Sequence, residues 1–288
     1  MEIFEIFEHT PISPSLQRAL KSALPNSITL VHRTQHSNRT DRAHVLATFP
    51  PTAYARPTCW AAAAHLDRSM HPETELCIFA AGEMSNHASS TSAKFDYIST
   101  LPTLPIHADN QPALDLAYQH GKEYPLPDPH GQYPPSPGTY IVQIMREAGL
   151  VRRDMPGAQL VLNKFLFKLS DVPMREQDID IVRARTNIPR DRPVAWTFLG
   201  FDGSLTTLHT EPEHRGKGMA KAVAAEIMRK YAAGLAVDDD GNAWSHADVY
   251  QGTLQSEGVC KSLRGTALWK DYWARIDLEV AGTLARSM

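Results

Sequence analysis

His209-Thr-Glu-Pro-Glu-His-Arg-Gly-Lys-Gly-Met-Ala-Lys221 is the stretch on which the reading of this chain turns. The apolar and β-branched residues just before it predict a strand, Ser204 to Thr210, and the residues after Gly218 predict a helix to Ala233. Between them runs a short basic loop with glycines at 216 and 218. Such a loop can hold an anion. The first turn of a helix has N–H groups without intrahelical acceptors, and its dipole end is positive. Glycine lets a phosphate oxygen approach the backbone, and Arg215 and Lys217 add charge to the same place. The spacing is not that of a P-loop, which needs GxxxxGK followed by Ser or Thr. Nor is it GxGxxG, because Ala220 and Lys221 break that pattern.

Working outward, Val194 to Phe201 predicts a strand, joined through Asp202-Gly203 to the strand before the loop. Beyond the helix, whose predicted buried face is Ala220, Val223, Ile227 and Tyr231, come a strand over Ala243 to Tyr250, a helix over Leu254 to Leu263 and a strand over Trp273 to Val280. Upstream, Met174 to Arg185 reads as an amphipathic helix and Leu160 to Leu169 as a strand. Ser27 to His32 and Leu76 to Ala81 read as short buried strands, and helices are expected over 113–120 and 140–148. Proline is dense from 101 to 138, which excludes regular helix or central strand and suggests an extended crossing or lid. The expected organisation is an α/β chain in two parts, residues 1–172 and 173–288.

Composition bounds the function classes. A net charge of -3 gives no reason to expect nucleic acid or an anionic membrane as partner. No apolar run reaches the length of a membrane helix, the N-terminus lacks a signal-peptide pattern, and Cys59, Cys77 and Cys260 lack metal-site or disulfide spacing. A cytoplasmic protein without a metal is expected. His65, His71, His87 and His107 share no ligand spacing, and Asp238-Asp-Asp240 reads as a solvated turn. Trp196, Trp244, Trp269 and Trp273 are expected in the core. The absence of a GxSxG elbow removes the main argument for a serine hydrolase.

Arg215-Gly-Lys-Gly218-Met-Ala220 resembles the acetyl-CoA loop of the GNAT acetyltransferase superfamily, [Q/R]-x-x-G-x-[G/A]. The order of elements around it agrees. Asp180 to Arg190, Ala195 to Gly200, Asp202 to Leu205, Leu208-His209 and Val259 to Leu263 are similar to the glycine N-acyltransferase-like branch, including fungal members. Leu66 to Glu75 is similar to the N-terminal half of that branch, where a degenerate copy of the same fold is often packed beside the working one.

The resemblance implies a mixed, mostly antiparallel sheet splayed between two central parallel strands, Ser204 to Thr210 and Ala243 to Tyr250. It implies acetyl-CoA as acyl donor. Backbone of Leu208, His209 and Thr210 would pair with the pantetheine amides, and N–H groups of Arg215, Gly216, Lys217, Gly218, Met219 and Ala220 would hold the pyrophosphate. An amine would attack the thioester directly. His209 is the candidate base, or a satisfied strand histidine. Cys260 stands where the family often has an acidic Tyr, and Thr253 where it often has Asn. Cys260 is the candidate acid or a buried helical thiol, and Ser256 a cofactor contact or a helix cap. The leading expectation is transfer to a small-molecule amine. A non-catalytic acyl-CoA-binding protein comes next and a protein acetyltransferase last. The acceptor and the oligomeric state stay open.

Overall fold

The computed structural model describes residues 7–35, 44–54, 60–66, 75–81, 149, 159–172, 193–200, 202–250, 252–274, 277, 280 and 283. The expected helices at 113–120, 140–148 and 174–185 and the proline-dense crossing lie outside these residues. Contacts divide the chain into two units: one of Met1–Ala19, Ser37–Leu162 and Trp269–Met288, the other of Leu20–His36 and Asn163–Leu268. Where the sequence suggests one boundary after residue 172, the contacts draw several.

The first unit is built on an antiparallel sheet in the order β1 (Phe7–Glu8), β2 (His44–Ala47), β3 (Ala61–Leu66), β4 (Glu75–Ala80). Leu46 opposes Ala63, which opposes Ile78. Helix α1 (Pro14–Ser22) contributes buried Leu16 and Ala19 to this unit. Phe49, Trp60 and Phe79 stack edge-on and tilted, with centroids 5.7 and 5.0 Å apart. Buried His9 donates from Nε2 to the Phe49 carbonyl (2.7 Å), and its Nδ1 lies 3.3 Å from the Ser13 hydroxyl.

The second unit contains α2 (Ile28–Gln35), β5 (Gln159–Lys168) from Asn163 onward, β6 (Ala195–Leu199), β7 (Leu205–Thr210), α3 (Met219–Ile227), β8 (Trp244–Tyr250), α4 (Leu254–Ser262) and β9 (Thr266–Ala274) up to Leu268. Two sheets form, β6-β7 and β8-β5-β9. Beneath them lies one apolar core. Phe165 and Phe167 of β5, Ala247 and Val249 of β8, and Cys260 and Leu263 at α4 pack with Ala222, Ala224, Ala225 and Met228 of the helix. The alternation along β8 turns Ala247 and Val249 one way and His246 and Asp248 the other.

Three expectations need correction. Ser27 to His32 is not a strand but the start of α2, buried almost all round at Ile28, Leu30, Val31, His32, Arg33 and Thr34. A short β-branched apolar run buried on every side has no helical stripe to show. The Thr34 hydroxyl supports the helix by donating to the carbonyls of Leu30 (2.8 Å) and Val31 (3.1 Å). The last strand begins at Thr266 rather than Trp273, directly after a turn in which Gly265 lies against the Phe167 ring too closely for a side chain. The buried face of α3 runs through Ala222, Ala225, Met228 and Ala232, while Tyr231 is 58% exposed. Small residues let the helix lie close to the sheet, and a π-helical turn over Met228–Ala232 shifts the phase that the larger side chains suggested. The tryptophans also differ from expectation. Trp196, Trp244 and Trp269 are only partly buried.

Candidate functional site

The β6-β7 hairpin closes at Asp202-Gly203, with the Asp202 carboxylate accepting from the Ser204 amide (3.1 Å) and hydroxyl (2.6 Å). Its register slips between Trp196↔His209 and Phe198↔Thr206, so Thr197 opposes two residues. That bulge holds Thr207 at φ 52°, a left-handed conformation that a β-branched residue rarely adopts. This strained position lies on the strand that the sequence marks for ligand contact; Arg264, in the turn after α4, is the other non-glycine residue with positive φ among the described residues.

β7 and β8 run parallel but meet at one bridge, Ser204↔His246. Past it, among the described residues, they belong to separate sheets. Two adjacent parallel strands that part within a fold leave a cleft edged by backbone N–H and C=O groups without a strand partner. Buried backbone polar groups need partners. An extended ligand carrying amides is the kind of chain that completes such a cleft.

At the open end of β7 the chain turns through a 3-10 turn, Pro212–His214, and the Arg215 Nε donates to the Thr210 carbonyl (3.0 Å). This bond ties the loop back to the strand. Gly216 (φ 74°) and Gly218 (φ 83°) are exposed, and a Cβ on either would meet no atom within 4 Å. Gly218 caps α3, whose first intrahelical bond runs from the Ala222 amide to the Gly218 carbonyl (3.0 Å). The N–H groups ahead of that bond have no intrahelical acceptor, and Arg215, Lys217 and Lys221 stand beside them in the sequence. The buried Thr210 Oγ1 and His214 Nδ1, on either side of this turn, have no hydrogen-bond partner. Orphaned polar atoms, an open glycine loop and cationic side chains together suit a phosphorylated ligand.

His209 is half-exposed on β7, stacked on Trp196 with ring centroids 4.4 Å apart and 24° between planes. Its Nε2 lies 3.8 Å from Glu211 Oε2. The Trp196 ring and the Glu211 carboxylate together orient the imidazole.

Leu208, His209, Thr210 and the segment from Arg215 to Ala220 are thus gathered at one end of the cleft, linked by the Arg215–Thr210 bond. Ser256 and Cys260 are elsewhere, on α4. Ser256 is not the helix cap, because Thr253 occupies that position. Cys260 is 3% exposed in the apolar core. Burial, with a contribution from Glu257, pushes its thiol up to about 12. A thiol that holds its proton this tightly is a poor donor to a departing thiolate of ordinary basicity.

The sequence reading missed a second polar cluster, at the closed end of the cleft. Lys164 Nζ lies 2.8 Å from Asp248 Oδ1 and donates to Asp248 Oδ2 (3.1 Å), His246 Nδ1 (3.2 Å) and Thr29 Oγ1 (3.3 Å). His246 Nε2 donates to the Asp202 carbonyl (2.8 Å). Gly203 packs so tightly on the His32 ring that a side chain there would overlap it. Burial, reinforced by His246 and Lys164, lowers His32 to about 3 against the pull of Asp202, so this ring is neutral. Two signals were available: a lysine inside the apolar run Leu160 to Leu169, and His246 and Asp248 two apart on one strand face.

A family model described as the acyl-CoA N-acyltransferase verG N-terminal domain matches residues 3–158, more than half of the 288 residues. No curated protein matches the chain. An X-ray structure of a Drosophila malonogaster protein superposes with a TM-score of 0.56, covering 96% of this chain and 99% of that one at 11% identity. At that identity the likeness is one of fold. The family match ends before His209, so the loop geometry and the family assignment are independent observations.

Proposed function

The chain belongs to the acyl-CoA N-acyltransferases of the verG family, enzymes of the GNAT type, and on that premise we propose that it transfers an acetyl group from acetyl-CoA to a small-molecule amine. The observation that carries this reading is the cleft between β7 and β8, ending at the open glycine loop before α3. In this reading residues 173–288 supply most of the donor site. The backbone of Leu208, His209 and Thr210 pairs with the pantetheine amides, and the Arg215 to Ala220 loop receives the pyrophosphate. A strand amide near the Thr207 bulge polarises the thioester carbonyl as negative charge develops on its oxygen.

His209, held by Trp196 and Glu211, takes the proton from the attacking ammonium. The amine nitrogen forms the new C–N bond and gives up its second proton to water as the C–S bond breaks, and CoA leaves as the thiolate. No role in that departure falls to Cys260. The leaving thiolate is of low enough basicity to depart and take its proton from water. Ser256, one turn along α4, remains a candidate donor contact. Among the described residues no helix is long and apolar enough to cross a membrane, and we place the protein in the cytoplasm on this reading.

The burial of Cys260 favours one second reading, a protein that binds acyl-CoA without transfer. An amine-library screen for CoA release separates the two. The enzyme reading expects release with some amine, reduced at least tenfold in His209→Ala with donor affinity kept. Tight acetyl-CoA binding with no release from any amine would favour the second reading.

A further inference from the structure

Resting on the acyl-donor reading above, we infer that Lys164, His246 and Asp248 are positioning residues that clip the closed end of the cleft and so set the separation of β7 and β8. A lysine ammonium offers three protons and no acceptor. Lys164, 1% exposed on its side chain, directs them at Asp248, Thr29 and His246. His246 Nδ1 must therefore present its lone pair, which leaves the ring proton on Nε2. That proton is donated to the Asp202 carbonyl. Asp202 in turn orders Ser204, the residue that makes the bridge to His246.

A closed path results. Asp248 fixes Lys164, Lys164 fixes the tautomer of His246, and His246 holds the β6-β7 turn to β8 at the point where the strands begin to part. From the other side the His32 ring bears on Gly203, so the turn is gripped between α2 and β8. A buried ion pair is weak evidence for stability, because an apolar pair of similar volume often does as well. Orientation of His246, by contrast, is something only this donor set supplies.

That difference supplies the test. The double variant Lys164→Met/Asp248→Leu replaces the pair by apolar groups, and acetyl-CoA affinity is measured by calorimetry beside the thermal midpoint. The expected result is a midpoint within a few degrees of wild type and affinity weakened about tenfold or more. A variant as stable as wild type that binds acetyl-CoA within twofold would overturn the inference. If the double variant does not fold, His246→Gln and His246→Leu decide. Glutamine can still donate to the Asp202 carbonyl and is expected to keep affinity within about threefold, whereas leucine loses tenfold. Equal affinities in the two would overturn the inference. A wild-type chain that ignores acetyl-CoA would remove the acyl-donor reading and the clip together. Wild-type binding matched by every folded variant would remove the clip alone.

Discussion

The two ends of β7 both depend on glycine, for opposite reasons. At the closed end Gly203 is needed because there is no room: the His32 ring occupies the place of a side chain. At the open end Gly216 and Gly218 stand in empty space. There the missing Cβ matters only for conformation and for something that comes from outside the chain. One end is packed and charged, with Lys164, His246 and Asp248 bonded to one another and to the 202–204 turn. The other is exposed, and orphaned at Thr210 Oγ1 and His214 Nδ1. A strand pinned at one end and open at the other is what a ligand-receiving cleft requires: a fixed hinge and an unfilled mouth.

Substitutions at the two ends should therefore behave differently. The largest effect is expected from Gly203→Ala, which combines a positive φ with overlap on His32. It should cost on the order of 3 kcal/mol or more in urea unfolding. A cost below about 1 kcal/mol would mean the closed end is not tightly packed.

Second comes acid. His32 is depressed to about 3 from 6.5 by burial, His246 and Lys164, with Asp202 opposing. Between those values the unfolded chain binds a proton that the folded chain does not. The His32 contribution is therefore complete above pH 6.5 and is lost as pH falls toward 3. Unfolding free energy should drop by about 2 to 3 kcal/mol between neutrality and roughly pH 4 from this group. His32→Gln should flatten that slope; an unchanged slope would contradict the packing of the closed end.

Gly218→Ala should cost only about 1 kcal/mol of stability, since its φ is positive but its surroundings are open. Its effect on acetyl-CoA affinity should be larger than its effect on stability, which calorimetry beside urea unfolding would check. The smallest functional effect is expected from Cys260→Ala. Catalytic turnover should stay within about twofold, with a modest loss of stability from a small core cavity. A collapse of turnover at unchanged stability would restore the thiol to the chemistry.

The same contrast explains what was legible in the sequence. The open end is local: strand, loop and helix are contiguous, and glycine spacing with Arg215 and Lys217 states the chemistry within thirteen residues. The closed end is assembled from α2, β5, the 202–204 turn and β8, and no contiguous pattern announces it. Lys164 and its partners Thr29 and Asp248 come from distant parts of the chain. α2 is hard to read for a related reason, since its burial on every side hides helical periodicity. β6, β7, β8 and α4 were placed nearly to the residue, because hairpin and cap signals bound them. Cys260 is a candidate acid by its matching of a family position, and its burial is the property that such a match does not carry.

The most direct test of the central claim is a calorimetric titration of the wild-type chain and an Arg215→Ala/Lys217→Ala variant with acetyl-CoA. The cleft and loop predict saturable one-to-one binding by the wild type, weakened at least tenfold in a variant whose unfolding midpoint is little changed. No heat of binding from the wild-type chain at millimolar acetyl-CoA, or equal affinity in both proteins, would contradict it.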